Sequence, residues 1–253
     1  MRRLELIEEL GDVRILLAVE SGSRAWGFPS RDSDYDVRFI YIRQPNWYLS
    51  IDLEARRDVI EQPIAEEIDL SGWDIRKTLR LFAKSNPPLL EWLSSPITYS
   101  VDPTFASALR ERISDYYSPV ASMHHYLHMA RGNQRDYLRG DTVWVKKYFY
   151  VLRPLLAIRW IEQGRGPVPM LFTDLFATID DESIVAAIES LRQRKIAGEE
   201  LDRGPAIPEI SAFVEAELSR LNDVLIPEPV PTVSLDALDA LFRETLKRVW
   251  QMS

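Results

Sequence analysis

The alternation of apolar and polar positions divides the chain into two regimes. In the first ~95 residues, short apolar runs are separated by turn-forming residues. "RILLAVE" and "DVRFIYI" (Asp36 to Ile42) are β-rich runs and predict strands. "RRDVIEQ" and "EEIDLSG" flank Pro63 and predict a strand pair or irregular hairpin. In "DIRKTLRLFAKSN", Ile75, Leu79, Phe82 and Ala83 recur at the spacing of one helical face, with Asp74 where an N-cap belongs and Pro87-Pro88 as a stop. "PPLLEWLSS" predicts a short helix started by proline.

After Pro96 the period becomes helical. "PTFASALRERISDYY", "SPVASMHHYLHMARGNQRDYLRG", "TVWVKKYFYVLRPLLAIRWIEQG", "DESIVAAIESLRQRKIAG" and "IPEISAFVEAELSRLNDVL" all predict helices. Ser118 before Pro119, and Asp180 before its periodic run, are candidate starts. "EPVPT" predicts a rigid joint before a last helix, "SLDALDALFRETLKRVW". No internal repeat is present. The expected architecture is α+β: a small mixed sheet with flanking helices over residues 1–97, then a helical domain over 98–253.

Composition narrows the chemistry. The chain has 253 residues, 46% hydrophobic, with a net charge of -8, enough to build a real core. It has no cysteine, which excludes disulfides and thiolate chemistry. The charged N-terminus is unlike a signal peptide, and no apolar run is long enough to span a membrane, so a cytoplasmic protein without a membrane partner is expected. The acidic total argues against a general nucleic-acid coat. Yet from Arg131 to Arg165 there are eight basic residues against three acidic, a patch able to meet phosphates or simply to form a solvated helix face.

The candidate chemistry lies in "ESGSRAWGFPSRDSDYDVR". Gly22 has no Cβ, so its backbone can approach an anion closely. If "SRAWG" begins a short helix, the N–H groups of Ser23 and Arg24 point at that anion, with the Ser23 hydroxyl and Arg24 guanidinium beside them. Side chains alternate along a strand, so Asp34 and Asp36 emerge on one face. Two such carboxylates repel each other, and Mg²⁺ or Mn²⁺ removes the conflict. Alone, Asp32 and Asp34 would read as turn caps. The Gly-Ser loop upstream, between two strand signals, favours a metal-assisted phosphoryl site instead. Glu67, Asp69 and Asp74 offer a third acid; Asp69, projecting from a half-buried strand between Ile68 and Leu70, is the choice, with Glu67 second and Asp74 a helix cap. Arg38 shares the Asp34 and Asp36 face and either orders those acids, touches a triphosphate, or is a strand-end charge.

"GSRAWG…SDYDVR", "IDL…WD" and "NPPLLEWLSSP" together resemble the DNA polymerase β-like nucleotidyltransferase superfamily. Within it, the closest likeness is to predicted nucleotidyltransferases related to phage-type RNA repair polymerase-β-like proteins. The resemblance covers roughly residues 13–95 and extends more loosely to "KKYFYVLRPLLAIRWIE". It implies a Gly-Ser phosphate loop at Gly22 and Ser23, paired metal-binding aspartates at Asp34 and Asp36, and a third at Asp69. Two Mg²⁺ or Mn²⁺ ions and an NTP, ATP by preference, are implied, with transfer of an NMP to a hydroxyl of RNA, protein or a small alcohol. A helical domain is expected to help hold the nucleotide. There, Lys146, Tyr150 and Arg153 fall at helical i, i+4, i+7 spacing with Lys147 one step round, a stripe able to contact phosphates and stack on a base, or an outward polar face with Tyr150 at its margin.

"MHHYLHMA" holds all three histidines. His124 and His128 have the spacing to share a metal, but the glutamate of an H-E-x-x-H site is missing, so packing or solvent exposure is the plainer reading of His124, His125 and His128. A rival from another class is a non-catalytic nucleotide-sensing or interaction module, antitoxin-like, that keeps the fold; intact Asp34, Asp36 and Asp69 count against it.

Overall fold

The computed structural model describes residues 2–199, 201–224, 226–227 and 234–251. The proline-rich joint expected at "EPVPT" lies outside the described residues. Contacts gather the chain into two compact units, neither continuous in sequence. The first holds the N-terminal residues through Ala25, Asp34–Tyr117 and the C-terminal helix; the second holds Trp26–Ser33 and the chain from Ser118 onward through the helix Pro208–Asp223. Residues 98–117 and the last helix, placed with a helical domain by the sequence reading, therefore belong to the first unit.

That unit is built on a five-stranded mixed sheet of β1 (Val13–Glu20), β2 (Tyr35–Arg43), β3 (Val59–Ala65), β4 (Ile68–Asp74) and β5 (Thr98–Val101). Their order is β3-β4-β2-β1-β5. β2 and β4 run parallel, and the other neighbouring pairs are antiparallel. β1 and β2 form because their residues are β-branched, aromatic and aliphatic, and the sheet buries both their faces.

Period two sorts the side chains. Val37, Phe39 and Tyr41 of β2 pack with Leu4 and Ile7 of the N-terminal helix Arg2–Gly11. Ile40 and Ile42 face the other way, into a core with Ile75, Leu79 and Phe82 of the helix Ile75–Ala83 and Leu89, Leu90, Trp92 and Leu93 of the helix Pro87–Leu93. A register shift between Ile15 and Leu17 lets consecutive Leu16 and Leu17 both enter that core. Phe105 and Leu109 of the helix Pro103–Glu111, with Leu238 and Leu241 of the helix Asp236–Val249, complete it. These long-range contacts bind residues 98–117 and the helix Asp236–Val249 to the sheet.

Caps set the helix starts. Asp74 accepts the Arg76 amide at 2.8 Å, Asn86 that of Leu89, Asp102 that of Phe105, and Ser118 that of Ala121. Asp181, one residue beyond the expected Asp180, caps the helix Glu182–Ile196 through Ser183. The β3–β4 hairpin turns at Glu66-Glu67, both at positive φ (54° and 62°), not at Pro63, which sits within β3 at the sheet edge.

In the second unit, the helix Tyr148–Glu162 is apolar nearly all round and is buried accordingly, from Val151 to Ile158 without a break. The helices Pro119–Tyr137, Glu182–Ile196 and Pro208–Asp223 contribute to the same core. Phe28, from the segment 26–33, stacks on Phe149 at 4.6 Å and meets Phe172 edge-on at 5.3 Å. The stretch expected as one helix from Thr142 begins instead with a strand, Thr142–Trp144, paired with Arg203–Pro205, and a 3₁₀ turn, Val145–Lys147.

Gly72 of β4 pairs with the fully buried Phe39, and a Cβ there would stand 2.1 Å from the Phe39 ring. The ring has no room to retreat. Gly72→Ala is expected to cost about 1–3 kcal/mol, read as a lower urea midpoint at unchanged m-value.

Candidate active site

Parallel pairing of β2 with β4 sets Asp36 directly opposite Asp69. Partners in register on neighbouring strands share a face, so the two carboxylates stand side by side, on the same face of β2 as Ile40 and Ile42. Arg38, two residues on from Asp36, spans both: its Nη2 donates to Asp69 Oδ2 at 2.7 Å and to Asp36 Oδ1 at 3.2 Å, and its Nη1 donates to the Asp69 carbonyl at 3.2 Å. Of the roles the sequence left open for Arg38, the structure displays the ordering of the acids.

The other third-acid candidates go elsewhere. Glu67 lies in the hairpin turn, exposed, where its carbonyl accepts the Tyr35 amide at 2.7 Å. Asp74 is buried as a cap and also accepts the Tyr48 hydroxyl at 2.7 Å. Asp34 precedes β2 and is exposed; its carbonyl accepts Arg24 Nε at 3.2 Å, and its charge is felt at Asp36. The Arg24 guanidinium lies 3.8 Å from the Tyr35 ring centroid.

Gly22 opens the short helix Gly22–Ala25 at φ +58°, a region L-residues rarely adopt. A Cβ there would fall 2.0 Å from Asp36 Oδ2. The Gly-Ser loop and the Asp36 carboxylate are therefore packed backbone against side chain, which only glycine allows. The adjacent Ser21 amide donates to the Asp36 carbonyl at 2.9 Å.

The sequence reading passed over Glu20. It is fully buried, accepts the Asp36 amide at 2.8 Å and receives the Tyr99 hydroxyl. The available signal was an acid ending the otherwise apolar run "RILLAVE". Burial pushes the Glu20 carboxyl above its ordinary value, against the pull of Tyr99 and the Asp36 amide. Burial likewise raises Asp36; Arg38 opposes this, while the charges of Asp69 and Asp34 reinforce it.

These residues fit a divalent cation by donor chemistry. They are hard carboxylate oxygens in mutual repulsion, beside a backbone cradle that a Cβ would fill. As the side chains stand, no three acids or histidines among the described residues converge into a cage. Between Asp36 and Asp69 the neutralising charge is the Arg38 guanidinium.

In the second unit, the expected stripe resolves into separate environments. Lys146 and Lys147 lie in the 3₁₀ turn, ahead of the helix. Lys146 pairs with Asp202 at 3.1 Å. Lys147 Nζ sits 4.3 Å from the Tyr150 ring centroid and 4.7 Å from that of Tyr137, and burial lowers its pKa. Tyr150 is 39% exposed and meets Trp26 edge-on at 5.7 Å. Arg153 is only 3% exposed: the helix is enclosed on all sides there, and Arg153 donates to the Pro169 carbonyl at 3.2 Å with its guanidinium 5.0 Å from the Trp26 ring. It is not on an outward face. Lys195, unmarked in the sequence because "RQRKIAG" reads as a solvated helix end, is half-buried; it donates to Ser33 Oγ at 3.4 Å, and burial depresses its pKa. His124 meets the Pro227 carbonyl at 2.9 Å.

Residues 1–244 match the sequence profile of a family described as the RNA repair pathway DNA polymerase beta family. The chain belongs to that family. A Bacillus subtilis (strain 168) protein described as uncharacterized, YcgL, is 49% identical over 250 residues, 98% of this chain and 95% of that one. A solved nucleotidyltransferase-like protein from Exiguobacterium sibiricum aligns at 14% identity over 98% of this chain and 87% of its own, with a TM-score of 0.31. Among the described residues, no helix is long and apolar enough to cross a membrane.

Two outcomes follow from the geometry. Glu20 and Asp36 bind protons more readily folded than unfolded, so their contribution to stability falls as pH rises above about 4.5. Glu20→Gln removes one of these groups, and urea melts between about pH 4.5 and 7 are expected to show a flatter profile for it than for the wild type. Gly22→Ala forces the Asp36 carboxylate aside; a shifted Asp36 carboxyl resonance in an otherwise folded protein is the expected NMR signature.

Proposed function

We propose that the protein is a nucleotidyltransferase that moves an NMP from an NTP, ATP by preference, to a hydroxyl acceptor and releases pyrophosphate. The observation that carries this reading is the Asp36–Arg38–Asp69 cluster packed against the glycine backbone at Gly22. Gly22 and Ser23 offer backbone and hydroxyl to the outer phosphates, with Arg24 beside them. Asp34, Asp36 and Asp69 would be the oxygen donors for two Mg²⁺ or Mn²⁺ ions. When bound, such ions neutralise charge on the attacking and leaving oxygens.

This chain's residues then work by position and charge. Asp69 takes up the proton that the acceptor hydroxyl gives up. The freed oxygen attacks the α-phosphorus, and the bond from that phosphorus to the bridging oxygen of pyrophosphate breaks. Arg38 holds Asp36 and Asp69 apart from mutual repulsion and is placed to move towards phosphate oxygens when those acids gain another cation. No protein nucleophile is needed, in keeping with the absence of cysteine.

For the acceptor we favour an RNA end over a protein or a small alcohol. The family's description supports this, as does the surface of the second unit, where Tyr150 and Trp144 are exposed beside Lys147, Lys146 and Arg203. Exposed aromatic faces beside cations suit unpaired bases and their phosphates.

Incubation with each α-labelled NTP, Mg²⁺ or Mn²⁺, and separate pools of RNA, protein and metabolites tests the reading. Label is expected in RNA, with Asp69→Ala and the double variant Asp34→Ala/Asp36→Ala each reduced about 100-fold or more. Equal labelling by wild type and the double variant would overturn the catalytic assignment. Nucleotide binding by the wild type without pyrophosphate release would favour the sensing module. Lys146→Ala/Lys147→Ala is expected to weaken RNA binding and flatten its salt dependence.

A further inference from the structure

On the reverse face of β2 from Asp36 and Arg38, the first unit has a cavity of about 420 Å³. Its walls are Tyr35, Val37, Ile68, Leu70 and Tyr99 of the sheet, with Leu4 and Leu6 of the N-terminal helix; Arg2, Arg3 and Glu66 stand among them. The size falls in the range of small-molecule sites. Leu6 and Tyr35 remain 41% and 40% exposed, so a ligand there would cover apolar surface the fold leaves open.

Two features give the walls a fixed shape. The Tyr35 ring is held by the Arg24 guanidinium at 3.8 Å, and the Tyr99 hydroxyl is tied to the buried Glu20. Rings already immobilised lose little freedom when a flat molecule stacks on them.

The charges select the ligand's sign and number. Arg3 is committed to the hairpin: its Nη1 donates to the carbonyls of Ala65 and Ile68 at 3.0 and 3.3 Å, and its Nη2 to Gln62 Oε1 at 3.2 Å. Arg2 is exposed and pairs with no acid among the described residues, and Glu66 repels a second negative charge. Among the described residues that line the cavity, Arg2 is thus the cation without a hydrogen-bonded partner, placed for one anionic group.

We propose that this cavity is a binding site for a small planar aromatic molecule carrying a single negative charge. Its rings lie among Tyr35, Tyr99, Leu6 and Ile68, and its anion meets Arg2. A nucleoside triphosphate, with several charges, does not suit the site, which is therefore distinct from the proposed nucleotide site on the opposite face.

Fluorescence titration with 1-anilinonaphthalene-8-sulfonate, a monoanion built on a planar naphthalene, tests this. Its uncharged analogue N-phenyl-1-naphthylamine serves as the comparison, and near-UV circular dichroism verifies folding of each variant. One saturable sulfonate probe per chain is expected. Arg2→Glu should weaken the sulfonate probe about tenfold and leave the neutral one unchanged, while Leu6→Asp should weaken both. Millimolar ATP should displace neither, and Asp34→Ala/Asp36→Ala should bind both as the wild type does, whether or not that variant has lost catalysis. Unsaturable binding, or binding unmoved by Leu6→Asp, would overturn the site. Sulfonate binding unmoved by Arg2→Glu would overturn its anion preference, and displacement by ATP would overturn its separation from the nucleotide.

Discussion

The site depends on one pairing: β2 beside β4, parallel, with Asp36 opposite Asp69. A strand slipped by a single residue would send Asp69 to the other face and bring Leu70 into its place. The register is held by apolar side chains on both faces, with Val37, Phe39 and Leu70 packed on one side and Ile40 on the other. The hydrophobic core thus fixes a spacing between charges that repel, and Arg38 relieves part of the repulsion. Loss of water on burial first, and then the repulsion that is left, raise the proton affinity of Asp36.

Much of this was legible because the signals were local. Alternation in "DVRFIYI" located β2, and the period of "DIRKTLRLFA" located its neighbouring helix. Apolar flanks mark Asp69 as a strand acid, and an acid ahead of a helical period marks Asp74 as a cap; the structure has Asp69 in β4, Glu67 in the hairpin turn and Asp74 accepting the Arg76 amide. The resemblance to polymerase-β-like proteins agreed with the family to which residues 1–244 belong.

What stayed hidden depends on distant partners. β5 is four residues long, and "TYSV" is a strand only because β1 accepts it. The final helix looks like any amphipathic helix, and nothing nearby announces that Leu238 and Leu241 join the core against Leu79 and Phe82. The Lys146–Arg153 stripe failed for a related reason. Helical spacing says which residues share a side, but burial decides whether that side meets water, and Arg153 lies where a helix apolar all round is enclosed.

The contact of Gly22 with Asp36 ties two positions together that are fourteen apart in sequence. The close contact that demands glycine lasts while a side chain as long as aspartate stands at position 36, since the clash is with that side chain's Oδ2 and Cγ. In a copy of this fold that had given up its acid for something shorter, most of that crowding would vanish, leaving the backbone angle as the demand for glycine. Drift at the loop would then record that the chemistry had been abandoned, even in a chain whose sheet and helices were otherwise intact.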